Sequence, residues 1–264
     1  MSKNKSELLG TEKISSLLIK QAVPAAIGFA LMSINMVVDT VFVGKYIGSD
    51  AIGAVGIVTP IAFLMSSFGM SIGIGGASVV SRAFGAKDQE KAQLAFNNQI
   101  SLAFIIISLL TAISFLFKDQ ILLAYGAKGD LIAPSASYYL ITMIGVPFLS
   151  LAMTGNNNLR AEGKANQAMM VLLIPSILNM ILDGIFIAYL DMGIEGAAWA
   201  TTFSYISSGL FIIFYFLSGR TELKINPRLF ALKTVIVKEI ASIGMISILR
   251  QGGISLLTVS YTHL

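Results

Sequence analysis

An all-α polytopic membrane protein is the fold class this sequence predicts, and three observations predict it. Of the 264 residues, 55% are hydrophobic and only 12% are charged, about half the charged share of a soluble domain. Apolar runs near 20 residues recur from end to end, each long enough to cross ~30 Å of hydrocarbon as a helix. A membrane β-barrel would instead need segments of about ten alternating residues, and the sequence shows no such pattern. Spans are predicted at about 15–43, 52–81, 93–117, 133–158, 166–190, 196–217 and 236–260.

Residues 1–14 form a charged leader. The apolar run after it is too long for a signal-peptide core and lacks a small-residue cleavage site. The first span carries Pro24 near its start and Asn35-Met-Val-Val-Asp39 towards its end. The second is rich in small residues, and Gly69-xxx-Gly73 has the spacing that lets membrane helices approach closely. Gly73-Ile-Gly75-Gly76 superficially suggests a dinucleotide loop, but the sixth position is Ser78 and no strand precedes it, so packing is the better reading. The fourth span holds Pro134, Tyr138, Tyr139, Pro147, Asn156 and Asn157, and the fifth holds Pro175, Asn179 and Asp183. Prolines inside membrane helices bend them where neighbours satisfy the freed carbonyl. The sixth span opens on Trp199, Thr201 and Thr202; Trp199 and Tyr189 fit an aromatic belt. Met32, Met36, Met153 and Met180 are flexible apolar residues suited to a cavity that accepts varied ligands.

Residues 218–235, with Pro227, read as a linker between bundles. Lys238-Glu-Ile-Ala-Ser-Ile-Gly244 echoes Lys20-Gln-Ala-Val-Pro24, a charge followed by small residues, and marks the start of a second repeat. The predicted organisation is a six-helix N-terminal bundle (15–217), a cytoplasmic linker (218–235) and the first helix of a truncated second bundle (236–264). Most of the 18 Lys and Arg fall in the leader and in the connections near 82–92, 159–166 and 218–238, while Lys45, Lys118 and Lys128 fall on the opposite side. By the positive-inside rule the N-terminus is cytoplasmic in a multi-pass protein of the cytoplasmic membrane. The basic residues thus encode orientation rather than a nucleic-acid surface. With no cysteine, disulfides and thiol chemistry are excluded. The one histidine, His263, makes no metal site.

The informative residues are the acids at depth. A carboxylate near mid-bilayer costs roughly 2.5 kcal/mol or more, which makes it a functional residue by default. Asp39 and Asp183 are such acids, and each has an Asn one turn before it, Asn35 and Asn179, on the same helix face. The bland alternative is a single Asp hydrogen-bonded for packing, and two Asn/Asp pairs weigh against it. The alternating topology places both acids in the outer half of the membrane, level with Thr201, Thr202, Tyr138 and Tyr139. Two carboxylates, an amide oxygen and a hydroxyl are hard oxygen ligands suited to Na⁺, and the same acids hold protons. Kinks such as that at Pro24 supply a hinge.

Several stretches resemble the multidrug and toxic-compound extrusion (MATE) family: Asn35-Met-Val-Val-Asp39-Thr-Val-Phe-Val-Gly44, Ser81-Arg-Ala-Phe-Gly85-Ala-Lys-Asp88, Arg160-Ala-Glu-Gly163-Lys, Asn179-Met-Ile-Leu-Asp183 and Gly193-Ile-Glu-Gly-Ala-Ala-Trp199-Ala-Thr-Thr202. The variant looks closer to the bacterial branch of staphylococcal-type multidrug exporters. The resemblance implies the N-terminal half of a twelve-helix fold of two six-helix bundles around a central cavity. It implies an antiporter, not an enzyme, in which Na⁺ or H⁺ enters as an amphipathic, often cationic drug leaves. The coupling ion is the only cofactor, and the partners are small amphipathic substrates, the lipid bilayer and the missing C-terminal bundle. By position it implies Asp39, Asn179, Asp183 and Thr201 as the coupling site, possible Na⁺ ligands included, with Asn35, Tyr138, Asn156 and Asn157 at the substrate cavity. Three alternatives are a lipid-linked saccharide flippase of the same superfamily, an inactive fragment, and an intramembrane aspartyl protease. The flippase would need a cationic cavity, and Arg250 is the only base read as lying deep in the membrane rather than near a span's end. The protease would need Gly-x-Gly-Asp, which Ile181-Leu-Asp183-Gly lacks.

Overall fold

The computed structural model describes residues 13–247. Six helices are long and apolar enough to cross a membrane among the described residues. They are α1 (Ile14–Tyr46), α2 (Ser49–Gly85), α3 (Gln89–Leu116), α5 (Ile132–Ala161), α6 (Ala165–Asp183, continued by a π-turn, Gly184–Tyr189) and α7 (Gly193–Leu217). A short α4 (Lys118–Ala124) occupies the connection before α5, and a final helix, α8, begins at 234 and is described to 247. The predicted spans match these helices to within a few residues. The rest of the seventh span, with Arg250, lies outside the described residues, as do His263 and most of the leader.

Local chemistry explains the ends. Asp88 caps α3 by accepting from the Lys91 N–H at 2.9 Å. Between α5 and α6 the chain reverses at Gly163, whose φ of 74° only glycine adopts readily. The Lys164 N–H then reaches back to the Leu159 carbonyl at 2.8 Å.

Small residues decide the packing. α5 runs through the middle, with α2 on one side and α7 on the other. A Cβ on Gly69 would stand 2.8 Å from the Ser150 Cα, and one on Gly73 would stand 2.9 Å from the Thr154 Cα. The Thr154 hydroxyl donates to the Gly69 carbonyl at 2.9 Å across this crossing. Against α7, a Cβ on Gly155 would meet Ile212 at 2.5 Å. The Gly69/Gly73 stripe is therefore a packing surface inside a helix. α1 lies chiefly against α6 and leaves much of its apolar surface uncovered, with Leu18, Ile19 and Val37 each more than 60% exposed.

The 218–233 connection is bound along its length to the start of α3. Gln93 donates to the Glu222 carbonyl (2.6 Å) and accepts from the Lys224 N–H (3.0 Å). Asn97 donates to the Lys224 carbonyl (3.0 Å) and accepts from the Asn226 N–H (2.7 Å). Asn98 donates to the Leu229 and Ala231 carbonyls and accepts from the Lys233 N–H at 2.6 Å. Buried Glu162 accepts from the Leu223 N–H at 2.9 Å and pairs with Lys164.

Candidate functional site

The two Asn/Asp pairs meet. α1 and α6 pack closely where Gly28 abuts Leu172, and further along the same crossing Asn35 reaches α6. Its Nδ2 donates to Asn179 Oδ1 at 2.6 Å and to the Ser176 carbonyl at 3.3 Å. Asn179 Nδ2 lies 3.5 Å from Asp183 Oδ1. The carboxyl groups of Asp39 and Asp183 face one another within hydrogen-bonding reach. Asp183 is fully buried, and Asp39 Oδ1 and Asp183 Oδ2 are buried oxygens without a hydrogen-bond donor. Such oxygens are costly unless a proton or a cation satisfies them.

Beside the acids lies a cavity of about 310 Å³. Its walls come from α1 (Met32, Asn35, Met36, Asp39), α2 (Thr59, Phe63), α5 (Tyr138, Met153), α6 (Pro175, Ser176, Asn179) and α7 (Thr201, Ser204, Tyr205, Ser208). Polar groups and flexible apolar side chains share one wall, and no Lys or Arg is among the lining residues. The Tyr138 and Thr201 hydroxyls stand 3.4 Å apart, with Tyr138 close enough to both acids to feel their charge.

Asp39, Asn35, Asn179, Thr201 and Tyr138 thus gather at one place. Asn156 and Asn157 do not line this cavity. Asn156 is spent on structure: it donates to the Ala168 carbonyl at 2.5 Å and accepts from Arg160 at 3.0 Å, tying α5 to α6. Asn157 donates to Met153 in its own helix at 2.8 Å and crowds Gly73. Met180 is absent from the wall, unlike Met32, Met36 and Met153. Thr202 turns away and donates to the Ile141 carbonyl at 2.9 Å. Pro24 is a buried residue within unbroken α1.

Two features escaped the sequence reading. Tyr205, one turn after Thr201, lines the cavity; that spacing was its only signal. The π-turn begins at the residue after Asp183, and such wide turns recur at functional sites. Asp-Gly was the only cue for it.

A family model, MatE, matches residues 24–185. The chain belongs to the MatE family. The match takes in the whole acid-pair region of α1 and α6. Multidrug export protein MepA of Staphylococcus aureus (strain MRSA252) is 30% identical over 226 residues, 85% of this chain and 50% of that protein. The chain therefore spans about half the length of the curated relatives it matches. The fold is similar to that of a multidrug resistance MATE family transporter in its outward-facing conformation, with a TM-score of 0.89 at 28% identity, over 97% of this chain and 56% of that one. Against an inward-facing conformation the TM-score is 0.82 at 29% identity, over 92% and 55%.

Proposed function

We propose that this MatE chain supplies the ion-coupling bundle of an antiporter that exports amphipathic, cationic small molecules. It sits in the cytoplasmic membrane with its N-terminus inside the cell, and a second bundle of the same protein completes the path. The observation that carries this reading is the juxtaposition of Asp39 and Asp183, two acids at membrane depth, beside a cavity lined by methionines, aromatic rings and hydroxyls without a base. Family membership and the likeness to multidrug exporters support it.

The chemistry follows from charge. An empty acid pair attracts a cationic substrate into the cavity. A coupling ion, H⁺ or Na⁺, arriving from outside neutralises the pair and removes that attraction. Thr201 and Tyr138 border the pair and complete its polar wall. Binding shifts a conformational equilibrium only by its differential affinity for the two states, so drug and coupling ion must favour opposite arrangements of α1, with Pro24 as the bend. The absence of a base from the lining favours a cation over the phosphate of a lipid-linked saccharide.

The test is efflux of a fluorescent organic cation from proteoliposomes holding the full polypeptide, under an imposed pH or Na⁺ gradient. Asp183→Asn is expected to abolish gradient-driven efflux, and Asp39→Asn to do the same. Normal coupled efflux by either variant would overturn the reading.

A further inference from the structure

An amide presents oxygen on one side and NH₂ on the other. Which side Asn179 turns to the acids decides whether it serves a cation as a ligand or a carboxylate as a donor. Three linked contacts fix the answer. The Ser176 main-chain carbonyl can only accept, so the Asn35 atom 3.3 Å from it is Nδ2. That same Nδ2 stands 2.6 Å from an Asn179 amide atom, which must therefore accept and is Oδ1. Asn179 Nδ2 is left facing Asp183 Oδ1 at 3.5 Å. The orientation is anchored on a backbone acceptor, so turning either amide over would set two donors, or two acceptors, against each other.

The consequence concerns Na⁺. A hard cation collects oxygens, from carboxylates, carbonyls and hydroxyls. Here the Asn179 oxygen accepts from Asn35 at 2.6 Å, and an NH₂ with partial positive charge faces Asp183 instead. The four residues the sequence offered as a Na⁺ set thus lose a ligand. Among the described residues no group of three or more Asp, Glu, His or Cys makes up the deficit.

We propose that Asn35 is a positioning residue that excludes Na⁺ from the acid pair by holding the Asn179 oxygen away from it. The proposal rests on the reading of Asp39 and Asp183 as the coupling site. Without the Asn35 donor, Asn179 is free to turn its oxygen towards the carboxylates, and the site gains the ligand it lacks.

The test uses the full polypeptide, purified for binding of radioactive ²²Na⁺ and reconstituted for efflux of ethidium under Na⁺ or pH gradients. Wild type is expected to show no saturable ²²Na⁺ binding at the acid pair and efflux indifferent to a Na⁺ gradient. Asn35→Leu is expected to show saturable ²²Na⁺ binding where wild type shows none. Its efflux is expected to become Na⁺-dependent, and adding Asp183→Asn to remove the binding. A purely structural role for Asn35 would lower efflux without changing which ion drives it. Saturable Na⁺ binding to wild type that Asp183→Asn abolishes overturns the proposal, and that measurement stands even if Asn35→Leu does not fold. A folded Asn35→Leu, or the smaller change Asn35→Ser, that stays blind to Na⁺ also overturns it. Wild-type efflux indifferent to both gradients would instead overturn the coupling reading itself, and this proposal with it.

Discussion

Pro175 shows how one residue shapes the site. A proline lacks the N–H that would bond four residues back, so it leaves the Val171 carbonyl without its helical donor. Ser208, from α7, supplies one at 2.8 Å. Ser208 also lines the cavity, so the carbonyl freed by Pro175 and the cavity wall share a hydrogen bond. Ser208→Ala is expected to cost about 1–3 kcal/mol, the penalty of an orphaned buried carbonyl, read as a lower thermal midpoint in detergent. In a Pro175→Ala background the returned backbone N–H should erase much of that cost. The two changes should therefore couple in a double-mutant cycle, and strict additivity would refute the assignment. At this scale the sequence was half legible. Asn-to-Asp spacing placed each pair on one helix face, because the 3.6-residue period does so by itself. It could not show that Asn35 bonds Asn179, since a contact between helices depends on how they cross. For the same reason the sequence could not show that Asn156 bonds the Ala168 carbonyl and Arg160 rather than lining this cavity.

The connection from 218 to 233 is the element that departs most from its expected character. It reads as a polar linker, yet the amide side chains of Gln93, Asn97 and Asn98 and a buried glutamate bind its backbone. Glu162 is wholly buried, and that burial pushes its carboxyl above the usual range, while Lys164 and the Leu223 and Glu222 N–H groups pull it back. Removing it strands a buried ammonium: Glu162→Ala is expected to destabilise by about 3–5 kcal/mol, measured as a drop in the thermal midpoint. The folded state binds this proton more tightly than the unfolded chain does. Its contribution to stability should therefore fall as pH rises from the ordinary glutamate value through the raised one. Asn97→Ala with Asn98→Ala should release the segment and speed tryptic cleavage at Arg220, Lys224 and Arg228; unchanged cleavage would show that the amides do not hold it. The amides were visible in the sequence at the start of the third span. Their targets were not, because they bind main-chain groups, which carry no residue identity.

Across the whole molecule, the decisive contact is between α2 and α8. A Cβ on Gly75 would stand 2.2 Å from the Ile240 carbonyl oxygen, and Ser71 donates to the Gly244 carbonyl at 2.6 Å. At the near end Lys91 pairs with Glu239 at 3.2 Å; a part-exposed pair of this kind contributes little energy but marks the approach. The helix after the 218–233 connection is thereby seated against α2. If transport requires this seam to open, joining Lys91→Cys to Glu239→Cys with a short bifunctional maleimide should block efflux in the full polypeptide. These 264 residues contain no cysteine, so within them the two introduced thiols are the only pair to join. Undiminished efflux after complete joining would show that the seam stays shut throughout the cycle.

The sequence by itself determined the class of fold, the rough limits of the six membrane helices seen among the described residues, and the family. Each depends on hydrophobicity and spacing along one helix, which are properties of neighbouring residues. Only the tertiary structure decided that Asp39 and Asp183 face each other, that Asn35 turns the Asn179 amide, and that the 218–233 segment is strapped down. Those outcomes depend on where glycines let helices touch, and close approach between distant segments is a property of the packed whole.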